Sequence, residues 1–221
     1  MRLRRPFCGA EPVIVMMGGG EGRRMLSHAP LLTLERRADT MAMAAPLYYT
    51  ADLVREMPED GNRYEVVHGE LLVTPAPRMV HQHAVGELFV ALHAYLRHEP
   101  IGVVWMSPAD LSWAPDVLVQ PDIFVAPVAQ SRGGQWSDIQ SLLLAVEVLS
   151  PSSARADRFT KRRLYQEAGV PTYWLVDTDR RLAEEWTPDA MMPRVERERL
   201  VWTPEGASRP FEMPIASLFS K

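Results

Sequence analysis

Residues 117–127 read VLVQPDIFVAP, an acidic residue set inside a run that otherwise favours burial. Val117, Leu118, Val119, Ile123, Phe124 and Val125 are strand formers, so the segment reads as a strand interrupted or bent at Pro121. Asp122 then needs a partner. The same anomaly recurs in LLLAVEVLSPSS at 142–153, where Glu147 is the only charge in an apolar run of the length of a strand covered on both faces. An unpaired ionised carboxylate there costs several kcal/mol or takes up a proton. Either residue alone is explained by a solvated or salt-bridged strand end. Together, on neighbouring strands, they point to a shared cation or a counter-charge.

The surrounding pattern is a mixed α/β order. TADLVREM (50–57) reads as a short helix capped by Thr50, with Leu53, Val54 and Met57 as its apolar stripe. RYEVVHGELLVTPAP (63–77) reads as two strands joined at His68-Gly69. Val80, Ala84, Val85, Leu88, Leu92, Tyr95 and Leu96 carry helical spacing over 80–97. Strand-like segments follow at 101–106, 109–113 and 117–125, then a polar loop at 129–139 and the buried strand at 142–149. A helix is expected over 154–168 with Gly169 as its stop, then a strand in PTYWLVDTD and closing hairpin strands in RLAEEW and near 194–203. This order predicts a sheet covered by helices on both sides.

Asp122 and Glu147 are separated by a strand, a loop and a second strand, which brings both carboxylates to one end of that sheet. Hard divalent cations use one or two protein carboxylates and leave the rest of their shell to water and substrate phosphate, so two are enough. On the helix after Glu147, Asp157, Lys161 and Tyr165 are each four apart and share one face. Lys161 can point back to the carboxylates, but spacing alone favours an exposed ion pair with Asp157 worth tenths of a kcal/mol. Glu65 is likewise open: alternation in YEVV places it on either the solvent or the site face. His81 and His83, about 200° apart on a helix, cannot chelate one ion together.

At 221 residues and 47% hydrophobic content the chain is long enough for one well-buried domain. A lone cysteine, Cys8, leaves no disulfide framework and no cysteine-based zinc site, in keeping with the reducing cytoplasm. No apolar run reaches the length of a membrane span, so no membrane association is expected. Residues 1–40, with MRLRRP and the Gly18–Gly20 run, are expected to be a disordered extension or a start-site artefact, translation beginning at Met41 or Met43, and 41–221 a single domain. Seven of the 24 basic and four of the 28 acidic residues lie in 1–40, leaving 41–221 at net −7. A protein that coats DNA passively carries a basic face, so this domain needs local positive charge or a metal ion to meet nucleic acid. Arg155, Arg158, Arg162 and Arg163 are the candidates for a phosphate-holding helix face.

The ordered set RYEVVHGELLVTPAP, His81-Gln82, QPDI, VEVLSPSS, Asp157, Lys161, Tyr165 and AGVPTYWLVD resembles the Uma-two family of endonucleases, a branch of the PD-(D/E)xK nucleases, from about Tyr48 to Asp177. The resemblance implies a restriction-endonuclease-like α/β fold with a central mixed sheet flanked by helices, preceded by a helix and a hairpin. It implies a Mg²⁺- or Mn²⁺-dependent endonuclease hydrolysing phosphodiester bonds in DNA, with Asp122, Glu147 and Glu65 as metal ligands and Lys161 completing the catalytic set. His81, Gln120, Asp157 and Tyr165 would line the cleft. The superfamily pattern puts its lysine two residues after the second acid, where this chain has Leu149, so the role passes to Lys161 on the next helix. The rival readings are a nuclease-fold binding or regulatory module with weak or no turnover, and a nuclease acting on RNA. A homodimer is a reasonable expectation for cutting both strands.

Overall fold

The structure, a computed structural model, describes residues 48–219. The expectation for residues 1–40 falls outside the described residues. Helix α1 (Ala51–Arg55) begins where the Thr50 side chain accepts a hydrogen bond from the Leu53 N–H. Ala51 and Val54 are its buried residues, and Leu53 faces solvent. Strands β1 (Arg63–Val67) and β2 (Glu70–Thr74) form the expected hairpin. Its two-residue turn has positive φ at both His68 and Gly69, the conformation whose twist matches the paired strands.

Helix α2 (Met79–Leu96) follows, then β3 (Gly102–Met106), β4 (Leu111–Ala114), β5 (Val117–Val119) and β6 (Ile123–Pro127). Two short 3₁₀ turns, Val128–Ser131 and Trp136–Asp138, occupy the polar loop before β7 (Leu144–Val148). The next helix winds as a wide π-helix over Ala156–Lys161 and tightens into α3 (Arg162–Glu167). It stops at Gly169, whose φ of 67° is the left-handed conformation that closes helices. Strands β8 (Tyr173–Asp177), β9 (Leu182–Trp186), β10 (Arg194–Glu196), β11 (Arg199–Trp202) and β12 (Phe211–Pro214) follow, and a 3₁₀ turn, Ile215–Leu218, ends the described elements.

Among the described residues the strands make a six-stranded mixed sheet in the order β10-β9-β8-β7-β6-β3, a four-stranded sheet in the order β2-β1-β5-β4, and the hairpin β11-β12. Of the two readings of the opening stretch, interruption at Pro121 holds and a bend within one strand does not. Val117–Val119 pairs with β1 and β4 in the four-stranded sheet, and Ile123–Pro127 pairs with β3 and β7 in the six-stranded one. Pro121, which has no N–H to give a ladder, lies in the three-residue step between the sheets, and Asp122 stands at the start of the second. β7 and β8 are parallel, as their helical crossover requires.

Alternation sorts the six-stranded sheet's side chains into two cores. Val104, Ile123, Val125, Leu144, Val146 and Val148 pack with Leu88 and Leu92 of α2 and with Trp202 and Phe211 of β11-β12. Phe124, Ala145 and Leu175 pack on the other face with Val67, Val117 and Val119 of the four-stranded sheet and with Leu164 and Tyr165 of α3. One face is thus covered by a helix and a hairpin, the other by a helix and a second sheet. Asp122 and Glu147 share the second face, so they point into the space between the sheets.

Gly69 fixes the hairpin register that carries Glu65. Its φ is 80°, and a Cβ there would stand 2.3 Å from the Tyr48 ring. Gly69→Ala should lower stability by roughly 1–2 kcal/mol in urea denaturation; an unchanged midpoint would contradict this account of the turn.

Candidate active site

Arg63, Glu65 and Val67 alternate onto the face of β1 turned to the six-stranded sheet. Glu147 arrives from β7 on the opposite wall, and Asp157 and Lys161 come down from the π-helical segment. All four charged groups are excluded from solvent: Glu65 is 1% exposed, Glu147 2%, Asp157 1% and Lys161 2%. Lys161 Nζ lies 2.8 Å from Glu65 Oε2, 3.0 Å from Glu147 Oε1 and 3.5 Å from Asp157 Oδ1. Spacing alone predicted an exposed Lys161–Asp157 pair. The structure instead turns Lys161 inward to the carboxylates, and Asp157 is its most distant acid. Tyr165 OH donates to the same Glu147 oxygen at 3.2 Å. Glu65, left open by alternation, is on the site face because β1 is roofed on that side. Its second oxygen accepts the Gln120 N–H at 2.7 Å, so both its oxygens are engaged.

Asp122 is held from three sides. His81 Nε2 stands 3.0 Å from Oδ2 and the Val148 N–H donates to that same oxygen at 2.9 Å, while both terminal nitrogens of Arg63 donate to Oδ1 at 3.0 Å. An ionised carboxylate only accepts, so His81 donates through Nε2, leaving a buried Nδ1 without a partner among the described residues. His83 stays out of this group, as its position on the helix requires. Gln120 turns its side-chain amide to Asp110 at 2.8 Å, on the floor of the adjoining cleft.

The charges do not balance. Among the described residues, four buried carboxylates, Glu65, Asp122, Glu147 and Asp157, face two permanent cations, Lys161 and Arg63. Burial works to raise Asp122, but the His81 hydrogen bond and the Arg63 charge bring it down to about 2, so it stays ionised. Glu147 goes the other way: burial, then Asp122, Asp157 and Glu65, push it well above the ordinary carboxylate range despite the pull of Lys161. Asp157 is raised by burial in the same way. Burial would lower Lys161, but Glu147, Glu65 and Asp157 raise it well above its ordinary value, so it is a fixed ammonium at neutral pH.

An excess of negative charge, an all-oxygen acidic donor set and a buried Asp157 Oδ1 that, among the described residues, meets only the Lys161 ammonium at 3.5 Å and makes no hydrogen bond together fit a hard divalent cation. A cavity of about 10 Å³, room for roughly one water-sized body, lies among Asp122, Glu147, Asp157 and Lys161. Among the described residues no three His, Cys, Asp or Glu side chains form a ready-made cage. Mg²⁺ and Mn²⁺ do not need one, since one or two carboxylates with water and phosphate suffice. Arg63, His81 and Asp122 also line a larger cleft of about 590 Å³ that opens beside this cavity.

The Uma2 family profile, described as "Putative restriction endonuclease", matches residues 51–214. The chain belongs to the Uma2 family. Its fold is shared with a solved structure from Anabaena variabilis ATCC 29413, described as a "putative nuclease belonging to DUF820". The likeness has a TM-score of 0.64 at 22% identity and covers 77% of this chain and 97% of that one. No curated protein matches it.

In this Uma2 chain the arginines of the long helix are not a free basic face. Arg158 is bound to Asp177 and Glu184, Arg163 to Glu167, and Arg162 lies over the Trp186 ring at 4.6 Å while bonding Gln166. Arg155 is exposed. Tyr173 and Trp174 are core residues. Arg63 was not among the expected site residues. Its one signal is that it stands two positions before Glu65, hence on the same face of the same strand.

Glu147→Gln tests the charge balance. It keeps an acceptor for Lys161 and Tyr165 and removes one excess charge. A carboxyl whose folded pKa is raised contributes stability below its unfolded pKa and loses it as pH rises through the folded value. At pH 7 without divalent ions, the variant should therefore be more stable than the wild type by about 1 kcal/mol or more. The gain should shrink as the pH is lowered and vanish below the ordinary carboxylate range, where Glu147 is protonated in the unfolded chain as well. Urea denaturation across that pH range measures it, and a variant destabilised at pH 7 would contradict the excess charge.

Proposed function

We propose that the protein is a Mg²⁺- or Mn²⁺-dependent endonuclease that hydrolyses phosphodiester bonds in DNA. The observation that carries this reading is the delivery of the Lys161 ammonium to within 3.0 Å of Glu147 and 2.8 Å of Glu65, beside Asp122. Membership of a family described as "Putative restriction endonuclease" supports it. Asp122 and Glu147 would hold the divalent cation, which supplies positive charge at the phosphoryl oxygens and activation of water.

The chain's own residues do the rest. Lys161, kept protonated by its acidic neighbours, is a fixed positive charge for the developing phosphorane rather than a base. Glu65 places it: with one oxygen on Lys161 and the other on a backbone N–H, its task is to aim the ammonium, in preference to the metal-ligand role that the family resemblance implied. His81 and the Val148 N–H fix the plane of the Asp122 carboxylate. The cleft beside the cavity, about 590 Å³ and lined in part by Arg55, Tyr64 and Gln82, receives the nucleic acid strand. No helix among the described residues is long and apolar enough to cross a membrane; we place the protein in the cytoplasm, acting as a homodimer where both strands are cut.

A second reading has its own observation. Asp122 is already satisfied by Arg63, His81 and Val148, the arrangement expected if the carboxylate served only to hold the two sheets together in a nuclease-fold binding module. Plasmid nicking in Mn²⁺ separates the two. Lys161→Ala should lower the rate by about 10²–10³-fold, the usual loss when a charge aimed at the transition state is removed. Asp122→Asn, checked for fold by circular dichroism, should abolish it. Nicking by wild type that survives in Asp122→Asn would refute the assignment, and a folded wild type that cuts neither DNA nor RNA would favour the module.

A further inference from the structure

The two oxygens of Asp122 are held differently. Oδ2 accepts from a backbone N–H in the sheet and from a buried imidazole, neither of which can leave without disturbing β7 or α2. Among the described residues Oδ1 accepts only from Arg63, through both terminal nitrogens at 3.0 Å. One edge of the carboxylate is thus fixed and the other rests on a long side chain that is 20% exposed. Arg63 borders both the small acidic cavity and the 590 Å³ cleft. Its Nη1 also donates to the Gln120 carbonyl at 2.9 Å, a backbone contact at the boundary between the two spaces.

Resting on the metal-site reading above, we infer that Arg63 and the divalent cation compete for Asp122 Oδ1, and that the cation releases the guanidinium into the adjoining cleft, where it holds a phosphate of the nucleic acid. Three considerations carry this. A guanidinium and a divalent ion on one carboxylate oxygen would be like charges a few ångströms apart in a region shielded from water, where repulsion is strong. Of the two permanent cations in the cluster, Lys161 is enclosed by three acids and buried, whereas Arg63 has solvent and cleft on one side. The planar fork that now sits on a carboxylate matches a phosphate equally well. Metal and nucleic acid would then bind cooperatively, since the ion frees the group that the phosphate needs. The exchange also accounts for how a domain of net negative charge acquires a positive group at the cleft wall only when the site is loaded.

The full chain is tested by calorimetry with Mn²⁺ alone, comparing wild type with Arg63→Gln, and by the arginine side-chain N–H resonances of the wild type during a Mg²⁺ titration. Arg63→Gln should bind Mn²⁺ about tenfold more tightly, as a competitor of opposite role is gone. In the wild type the Arg63 resonance should shift with saturation of the Mg²⁺ site, a readout that stands even if the variant fails to fold. Binding of a fluorescein-labelled DNA duplex, with Ca²⁺ as the ion, should strengthen on ion addition in the wild type and not in Arg63→Gln. Mn²⁺ affinity that is equal or weaker in a folded Arg63→Gln, or an Arg63 resonance that ignores Mg²⁺ while the protein binds it, would overturn the exchange and leave the metal site standing. A duplex affinity equal in the two proteins would overturn the phosphate contact. Wild type and variant that both fail to bind Mn²⁺ would remove the metal site itself and the exchange with it.

Discussion

The Lys161 ammonium is the point on which the rest of the arrangement depends. Taking it out of water is costly, and it is recovered only because Glu65 from β1, Glu147 from β7 and Asp157 from its own helix surround it. One buried charge therefore binds the four-stranded sheet, the six-stranded sheet and the helix between β7 and β8. The helix widens to π winding over the residues that bear Asp157 and Lys161, a departure that recurs at functional sites because it re-aims side chains without ending the helix. What holds these elements together is also what leaves the cluster short of positive charge, and that shortage is the physical basis for expecting a cation.

The sequence made the two acids legible and left their partners obscure. Asp122 and Glu147 stood out because each is a lone charge in an apolar run. Their convergence followed from strand, loop and strand, and antiparallel pairing of β6 with β7 delivers it. Lys161 was legible only through family resemblance, since an i,i+4 acid–base pair on a helix looks the same exposed or buried. Glu65 was ambiguous because alternation gives two faces without saying which is roofed. Arg63 left almost no signal: an arginine at a strand start is ordinary, and its importance arises from Asp122, 59 positions away in the chain. Pro121 marked a break in the opening stretch but not its meaning, because a bend within a strand and a passage between sheets need the same residue. β12 carries little sequence signal, being a four-residue strand, Phe211–Pro214, that ends in proline.

Two features set the conditions under which this site meets a polyanion. Residues 41–221 carry net negative charge, and most arginines of the long helix are engaged by Asp177, Glu184, Glu167 and Trp186. Under the proposed function, attraction for nucleic acid would be local, built from Arg63, Lys161 and a bound cation rather than from a basic surface, and it should fall with salt less steeply than for proteins that grip many phosphates. Under the proposed exchange, the division of labour at Asp122, one oxygen held by His81 and Val148 and the other by the Arg63 guanidinium, would let a satisfied carboxylate serve as a ligand as well.

The most direct test is anomalous diffraction at the manganese edge from crystals of the protein grown with Mn²⁺. The account predicts a peak between the Asp122 and Glu147 carboxylates, with Lys161 still on Glu65 and the Arg63 guanidinium moved toward the cleft. A well-ordered site with no manganese there, or manganese bound only at surface carboxylates, would contradict it and leave the buried acids as structural groups alone.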